Sequence, residues 1–170
     1  MFIAVDVHYH NSKAQAAGVL YRNWTDCEAE KTLIVPVEPA ASYIPGQFYK
    51  RELPCIMAVL ERLDFLPQCI IIDGYVYLGR ERAPGLGKYL FDAIEKKSSV
   101  IGVAKNPFKD PPSDTQVFRG KSKRPIYVSS AGMGMEEAKY HIGEMCGKHR
   151  IPRLIKMADS LSKQEPPAFL

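Results

Sequence analysis

The segment Cys69-Ile70-Ile71-Ile72-Asp73 restricts the possible folds of this chain more than any other part of it. An unbroken apolar run of this length predicts a strand with both faces buried, because a half-exposed strand alternates polar and apolar residues. Such a strand requires packed layers on both sides of its sheet. The acid at its end, followed by Gly74, places a charged group at the carboxyl edge of the sheet, where open α/β sheets bind their ligands.

Two other patterns precede this strand. Residues 2–9, 14–24 and 31–37 are rich in β-branched and aromatic residues and are separated by short polar links, which predicts a meander of three antiparallel strands. From residue 51 the apolar positions recur every three or four residues, which predicts a helix. Pro54 is compatible with the first turn of that helix, where its missing N–H is not needed.

The second half of the chain alternates helices and strands. The sequence predicts a helix at 85–97, a strand at 100–104, a long loop or lid at 106–124, a strand at 124–130, and helices at 135–148 and 158–163. A meander followed by β-α units predicts an α/β fold with a mixed sheet, antiparallel in one part and parallel in another, flanked by helices. The ribonuclease H-like arrangement has this order. At this length we expect one domain covering residues 1–170.

The composition is typical of a cytoplasmic globular protein. A net charge of +4 and a pI ≈ 8.8 permit binding to nucleic acid without requiring it. The N-terminus lacks the basic region of a signal peptide, and no apolar run approaches the roughly 20 residues that span a membrane. The cysteines are Cys27, Cys55, Cys69 and Cys146, and none forms a C-x-x-C pair. We therefore expect buried thiols in a reducing compartment.

Four acidic residues are candidates for a hard-metal site: Asp6, Glu52, Asp73 and Asp159. Mg²⁺ prefers carboxylate oxygens, and metal-assisted cleavage of a phosphodiester uses such ligands. Asp6 lies among strand apolars, where a charge is costly unless it has a partner or a function. Structural explanations remain open for all of them, namely a hydrogen bond for Asp6, the helix dipole for Glu52, a turn for Asp73, and a cap or surface position for Asp159.

A loop tip and several basic residues are candidates for nucleic-acid contacts. Tyr43-Ile44-Pro45-Gly46 presents apolar side chains at a turn, and such side chains enter gaps between stacked bases in other proteins. Lys105 directly follows a predicted strand, where it is suited to hold a phosphate. Residues suited to follow a phosphate backbone, or simply to be solvated, are Arg80, Arg82, Lys121, Lys123 and Arg124.

These segments together resemble the endonuclease V family, nucleases that act at inosine or deoxyinosine in nucleic acid. The matches run in order along almost the whole chain, and their order and spacing are more specific than any one match. They are Asp6-Val7-His8-Tyr9, Tyr43-Ile44-Pro45-Gly46 with Arg51-Glu52, Asp73-Gly74, Ile101-Gly102-Val103-Ala104-Lys105, Tyr127-Val128-Ser129, and the segment from Arg150-Ile151-Pro152 to Lys156-Met157-Ala158-Asp159.

The resemblance implies a ribonuclease H-like nuclease that depends on Mg²⁺, with Mn²⁺ as a substitute. It implies cleavage on the 3′ side of a deaminated purine, one phosphodiester further on, in DNA repair or RNA processing. The implied metal-binding and catalytic acids are Asp6, Glu52, Asp73 and Asp159, with Lys105 assisting at the phosphate.

For the nucleic-acid interface, the resemblance implies a wedge made of Tyr43, Ile44 and Pro45, with Gly46 completing the tip. We assign Gly74 and Arg80 to the same interface. The substrate is expected to be DNA or RNA. We expect a monomer that contacts no membrane, and no protein partner is implied.

Two segments depart from the family pattern. After Asp73-Gly74 the family has a second Gly and a His-Pro-Arg, whereas this chain continues from Tyr75 to Arg80. After Tyr127-Val128-Ser129 the family's Pro-Gly-His is replaced by Ser130-Ala131-Gly132. Both segments neighbour the expected base pocket. Two alternatives therefore stay open: a non-catalytic nucleic-acid-binding module on the same fold, and a divergent nuclease without inosine specificity.

Overall fold

A computed structural model describes residues 1–38 and 42–164 of the chain. Its strands are β1 (Phe2–His10), β2 (Lys13–Tyr21), β3 (Lys31–Val37), β4 (Cys69–Asp73), β5 (Tyr77–Leu78), β6 (Ala83–Pro84), β7 (Ser99–Ala104), β8 (Gln116–Val117) and β9 (Ile126–Ala131). Its α-helices are α1 (Tyr49–Leu60), α2 (Leu86–Ala93), α3 (Met135–Glu144) and α4 (Arg153–Ser162).

The main sheet has seven strands in the order β3-β2-β1-β4-β7-β9-β8. The meander β1-β2-β3 is antiparallel, β4 and β7 run parallel to β1, and β9 returns antiparallel to β7. The predicted α/β fold with a mixed, ribonuclease H-like sheet is confirmed. Because β1, β4 and β7 are parallel neighbours, the residues at their carboxyl ends meet at one edge of the sheet.

The strand β4 is buried on both faces, as the sequence predicts. Ile70 and Ile72 lie in the core under α1 and α2, whereas Cys69 and Ile71 lie in the core under α3 and α4. Each of these side chains is exposed by 1% or less. Complete burial of an isoleucine contributes about 1.5–3 kcal/mol relative to exposure, so this strand anchors both layers.

Several element ends differ from the predictions, and local hydrogen bonds or backbone conformation explain the ends of β2 and α2. The strand β2 ends at Tyr21 because the Asp26 carboxylate accepts the backbone N–H groups of Arg22 and Asn23 and turns the chain. The helix α2 ends at Ala93 because Glu95 and Lys96 adopt the left-handed conformation, with φ values of 56° and 60°.

The predicted helix at 158–163 begins earlier, at Arg153, directly after Pro152. The helix predicted to reach 148 ends at Glu144, because the chain becomes extended at Met145. The predicted loop 106–124 is not wholly irregular, since it contains a 3-10 turn at Ser113–Thr115 and the short strand β8. The hairpin of β5 and β6 was not predicted.

The prediction of buried thiols throughout is wrong for two of the cysteines. Cys27 and Cys146 form a disulfide that joins the loop after β2 to the segment after α3. Cys55 and Cys69 are buried and free, as expected. In the ranges that the structure describes, no helix has the length and apolar character to cross a membrane.

Candidate active site

Asp6 and Asp73 lie side by side on neighbouring parallel strands. The last registered pair of β1 and β4 is Val5 with Ile72, so the next residue on each strand is one of these acids. The Ser162 hydroxyl on α4 donates to Asp6 Oδ2 at 2.6 Å. Burial raises the pKa of Asp6, the charges of Asp73 and Asp159 raise it further, and the Ser162 hydrogen bond opposes them.

Glu52 projects toward the same edge of the sheet from the first turn of α1. Its side chain is buried, with 7% exposure. Burial raises the pKa of Glu52 to about 8, with further increases from the charges of Asp6 and Asp73. The three acids line one small cavity of ≈ 10 Å³, the size of a single water molecule.

Lys105, the first residue after β7, brings a cation to these acids. Its Nζ atom lies 3.0 Å from Asp73 Oδ2 and 3.3 Å from Asp159 Oδ1. Burial disfavours the ammonium form, but the charges of Asp73 and Asp159 outweigh that cost and raise the pKa of Lys105. The backbone carbonyl of Lys105 accepts a hydrogen bond from the Arg150 guanidinium, which fixes the strand end.

Asp159 on α4 is surrounded by three ammonium groups. Besides Lys105, it contacts Lys163 at 2.7 Å and Lys156 at 3.0 Å. Burial alone would raise the pKa of Asp159, but the hydrogen bonds from Lys163 and Lys156 hold it well below its ordinary value. Asp159 is therefore a charged group that orients lysines. It does not line the cavity formed by the other acids.

The donor chemistry of the cavity fits a hard divalent cation. Its polar lining consists of the carboxylates of Asp6, Glu52 and Asp73, and Mg²⁺ is usually bound by one or two carboxylates with water completing its shell. A cation there would also offset the burial and the mutual repulsion that raise the pKa values of Asp6 and Glu52. Across residues 1–38 and 42–164, no three His, Cys, Asp or Glu side chains are gathered into a preformed ligand set.

The tip Tyr43-Ile44-Pro45-Gly46 is exposed, as its proposed role as a wedge requires. Tyr43 is 61% exposed and Ile44 is 44% exposed. The N–H of Gln47 donates to the Ile44 carbonyl at 3.0 Å, and Gly46 has a φ of 76°, so the tip is a tight turn. Contact of this turn with nucleic acid stays a prediction.

Gly74 and Arg80 occupy different surroundings. Gly74, with a φ of 135°, donates its N–H to the Val103 carbonyl at 3.2 Å, directly after Asp73. Arg80 lies in the turn between β5 and β6, and its guanidinium is 3.0 Å from the Asp110 carboxylate. Both partners of this ion pair are largely exposed, so the pair does not prevent Arg80 from contacting a ligand.

Tyr75 was not singled out as a functional residue, yet it joins two segments beside the acids. Its hydroxyl donates to the Asn106 carbonyl at 2.6 Å and accepts the Phe108 N–H at 3.0 Å. The connection ties the chain after β4 to the chain after Lys105. In the sequence, this connection is signalled only by the residues after Gly74, which differ from the pattern of the family. Ser162, Lys156 and Lys163 also contact the acids without having been assigned a role.

Comparisons with known proteins agree with this geometry. A sequence model described as Endonuclease V matches residues 1–121. The Endonuclease V of Pyrococcus horikoshii is 31% identical over 161 residues, which cover 94% of this chain and 72% of that protein. The Endonuclease V of Streptomyces avermitilis is 30% identical over 183 residues, covering 94% of this chain and 78% of that protein.

Two solved structures share the fold. The crystal structure of Endonuclease V from Streptomyces avermitilis superposes with a TM-score of 0.76 at 27% identity, covering 95% of this chain and 79% of the other. A variant of Ciona intestinalis Endonuclease V, in complex with a 23mer DNA containing an inosine followed by a ribo-adenosine, has a TM-score of 0.77 at 20% identity and covers 95% of this chain and 83% of the other. The family match over most of the sequence, the relatives and the shared fold lead to one conclusion: this chain belongs to the endonuclease V family.

Proposed function

We propose that this protein is a divalent-metal-dependent endonuclease that cleaves DNA or RNA on the 3′ side of a deaminated purine, inosine or deoxyinosine, one phosphodiester further on. The observation that carries the proposal is the convergence of Asp6, Glu52 and Asp73 on one small cavity beside Lys105. Membership of the endonuclease V family supports the nuclease activity, and inosine in the DNA bound to the Ciona protein supports the choice of base.

The proposed cofactor is Mg²⁺, with Mn²⁺ as a substitute. Asp6, Glu52 and Asp73 would hold it, and Asp159 is the remaining candidate ligand. A bound divalent cation would supply Lewis-acid polarisation of the scissile phosphate and lower the pKa of its water. The three carboxylates would fix its position, and the network of Ser162 with Asp6 would keep the β1 carboxylate oriented.

The chain's own cations act on the phosphate. Lys105 is held at the sheet edge by Asp73 and Asp159, so its ammonium group is positioned to bind a non-bridging oxygen of the scissile phosphate. Asp159 keeps Lys105 charged and oriented, and its contacts with Lys156 and Lys163 keep it ionised. Tyr43, Ile44 and Pro45 are proposed to enter the base stack, which lowers the cost of extruding a weakly paired base.

The decisive experiment compares cleavage of matched oligonucleotides with and without one inosine, as DNA and as RNA, in Mg²⁺, in Mn²⁺ and in EDTA. We expect metal-dependent cleavage confined to the inosine strands and absent from Asp73→Ala. Equal cleavage of every strand would contradict the proposed base specificity and support the proposed nuclease activity. Binding without cleavage in either metal would replace the proposal with the non-catalytic binding module.

A divergent nuclease without inosine preference is the second candidate. The chain after Gly74 forms the β5-β6 hairpin and the Tyr75 connection, in the segment where the family carries another glycine and a His-Pro-Arg. If this segment borders the extruded base, its different residues would change the shape of the base pocket. Cleavage of mismatched or branched substrates at the rate of inosine substrates would favour this candidate.

We further propose that residues 1–170 form one domain that acts as a monomer. Support for the single domain comes from the two cores, which share one continuous sheet. The Cys27–Cys146 disulfide argues against the cytoplasmic location expected from the sequence, because disulfides are rare in reducing compartments. Alkylation of thiols during denaturing lysis of intact cells, followed by reduction and a second label, tests this: two cysteines that react only after reduction would contradict the cytoplasmic assignment.

A further inference from the structure

A broad basic groove lies beside the acids. Two adjoining cavities, of ≈ 730 Å³ and ≈ 920 Å³, share the lining segment from Gly147 to Arg150. The basic side chains that line them are Arg119, Lys121, Lys148, His149, Arg150, Arg153 and Lys156. Every lining residue falls in the described part of the chain, and none of them is Asp or Glu. We call this surface the basic groove.

A buried arginine shapes the loop that forms the groove. Arg119 is only 6% exposed, and its guanidinium donates to the backbone carbonyls of His149 at 2.8 Å and Gly147 at 3.1 Å, and also to that of Met145. These carbonyls are turned toward Arg119, so their partial negative charge is neutralised inside the protein. The side chains of Lys148 and Arg153 are left exposed at the surface.

Close backbone packing holds together the two segments that line the groove, one around Gly120 and the other around Lys148. Gly120 has a φ of 60°, and a Cβ at this position would lie 2.2 Å from the Lys148 carbonyl oxygen. Any side chain at residue 120 would force one of these two segments to move. The disulfide attaches Cys146, at the end of the groove, to the loop after β2. The shape of the basic groove is therefore fixed by the Arg119 hydrogen bonds, by the packing at Gly120 and by the disulfide.

The groove is continuous with the acids. Arg150, in its lining, donates to the Lys105 carbonyl and, at 2.9 Å, to the Pro125 carbonyl. Lys156, also in its lining, contacts Asp159 at 3.0 Å, and Asp159 contacts Lys105. A polyanion that occupies the groove would thus pass directly onto the residues that we propose act on the scissile phosphate.

We infer that the basic groove binds the phosphodiester backbone of the substrate strand at nucleotides beyond the scissile phosphate. The inference rests on the proposed nuclease function and deepens it. Exposed lysines and arginines around an open groove match a chain of phosphates, each bound without regard to its base. Each of the two cavities, of ≈ 730 Å³ and ≈ 920 Å³, is far larger than a single phosphate anion. Binding here adds affinity for long substrates in a sequence-independent manner.

The test measures binding separately from cleavage, in an Asp73→Asn background. Fluorescence anisotropy gives the affinity for inosine-containing duplexes of increasing length over a range of salt concentrations. In Lys148→Ala/Arg153→Ala, we expect affinity for the longer duplexes to fall about tenfold, and the slope of log K against log salt to decrease by about 2, since each lost phosphate contact removes about 0.9. The gain in affinity with duplex length should shrink as well.

The matched control removes two positive charges elsewhere. Arg62 and Lys97 follow α1 and α2, which pack on the other face of the sheet. Arg62→Ala/Lys97→Ala should retain both the salt slope and the length dependence. Equal effects of the two double variants would overturn the inference, since net charge alone would then explain them. So would competition by inorganic phosphate at millimolar concentration that abolishes the length dependence, because the groove would then be a site for a single anion.

The outcome is separable from that of the proposed function. Because binding is followed with Asp73 replaced, a groove effect is measurable whether or not the unsubstituted enzyme cleaves. Absence of cleavage with an intact groove effect would contradict the nuclease and leave the groove as a nucleic-acid site. Cleavage without any groove effect would contradict the inference and leave the nuclease standing.

Discussion

The residue Asp73 lies between Asp6 and Lys105, two of the groups proposed to act in cleavage. It follows Ile72 at the end of β4, lies next to Asp6 and accepts the Lys105 ammonium at 3.0 Å. Its side chain is 37% exposed, so its ion pair with Lys105 is partly solvated and contributes at most about 1 kcal/mol to stability. Substitution of Asp73 should therefore affect catalysis much more than folding stability.

We expect Asp73→Asn to lower cleavage at least about a hundredfold, since loss of a metal-orienting carboxylate costs several kcal/mol of transition-state stabilisation and each 1.36 kcal/mol is tenfold. The melting temperature should change by only a few degrees. The measurement is single-turnover cleavage together with thermal unfolding. Asp64→Asn, which changes an exposed acid in the turn after α1, is the control and should behave as the unsubstituted protein. Unimpaired cleavage by Asp73→Asn would reject this residue as part of the site.

Glu52 gives the protein a pH-dependent stability. Its folded-state pKa is raised from 4.5 to about 8, mainly by burial. Between pH 4.5 and pH 8, Glu52 therefore keeps its proton in the folded protein but has lost it in the unfolded chain. The resulting contribution to the free energy of unfolding is fully present below pH 4.5 and is lost as the pH rises through 8. In metal-free buffer, stability should thus decline between these values.

Glu52→Gln should remove that decline, because an amide does not titrate. We expect the fall in melting temperature between pH 5 and pH 8.5 to be smaller in the variant by roughly 5 °C, on the scale of a few kcal/mol for a protein of this size. Thermal unfolding in EDTA at several pH values makes the measurement. An identical pH profile in the variant and the unsubstituted protein would show that Glu52 is not the titrating group. The same substitution should impair cleavage, since the proposed ligand is lost.

At the scale of secondary-structure elements, the strands could be predicted better than the connections. Apolar runs identify β4 and β7 nearly to the residue, because burial on both faces leaves no polar alternative. The predicted segment for α4 began at Ala158, five residues after the observed start at Arg153, although the apolar residues Leu154, Ile155 and Met157 lie in between. The β5-β6 hairpin was also missed, since two-residue strands leave no period in a sequence.

The same distinction applies to the candidate site. The acids could be predicted because each lies at the end or inside of a recognisable element, as Asp6 and Asp73 do. The lysines around Asp159 could not, since an exposed lysine on a helix has the same local pattern whether or not it meets a carboxylate. Tyr75 was missed for a related reason: its partners, Asn106 and Phe108, belong to a distant segment.

The strand β7 fits against the chain after β4 only because residue 102 is glycine. A Cβ at Gly102 would lie 2.5 Å from the Gly74 carbonyl oxygen and 2.9 Å from both Ser129 Oγ and the Val76 nitrogen. Two of these atoms belong to the backbone and cannot move aside cheaply. The Val76 N–H also donates to Ser129 Oγ at 2.9 Å, so an intruding methyl group would disturb a buried hydrogen bond.

We expect Gly102→Ala to destabilise the fold by about 1–3 kcal/mol, the usual cost of overpacking, and to reduce cleavage through displacement of Gly74 and its neighbour Asp73. Urea denaturation and cleavage assays measure the two effects. Gly134→Ala is the matched control, because a Cβ at Gly134 meets nothing within 4 Å. Should Gly102→Ala retain full stability, the close approach of β7 to Gly74 would be wrong.

At the scale of the whole molecule, the disulfide between Cys27 and Cys146 connects the loop after β2 to the segment after α3. These cysteines are 119 residues apart in sequence, with their Cα atoms 5.1 Å apart. The pairing could not be predicted, because it depends on how the loop after β2 meets the segment after α3, and cysteine spacing alone does not reveal tertiary approach. Trp24 supports the same junction by stacking on His141, with ring centroids 4.5 Å apart.

Loss of this disulfide should lower the free energy of unfolding by about 2–4 kcal/mol, because a crosslink over so long a stretch restricts the unfolded chain. We expect Cys27→Ser/Cys146→Ser to melt roughly 5–15 °C lower than the oxidised protein. Reductant should lower the melting temperature of the unsubstituted protein to a similar value and leave the double variant unchanged, which controls for effects on Cys55 and Cys69. Because Cys146 lines the basic groove, the same treatment should weaken binding to long duplexes more than to short ones. Four free thiols in protein purified without reductant would contradict the pairing and, with it, the link between redox state and substrate affinity.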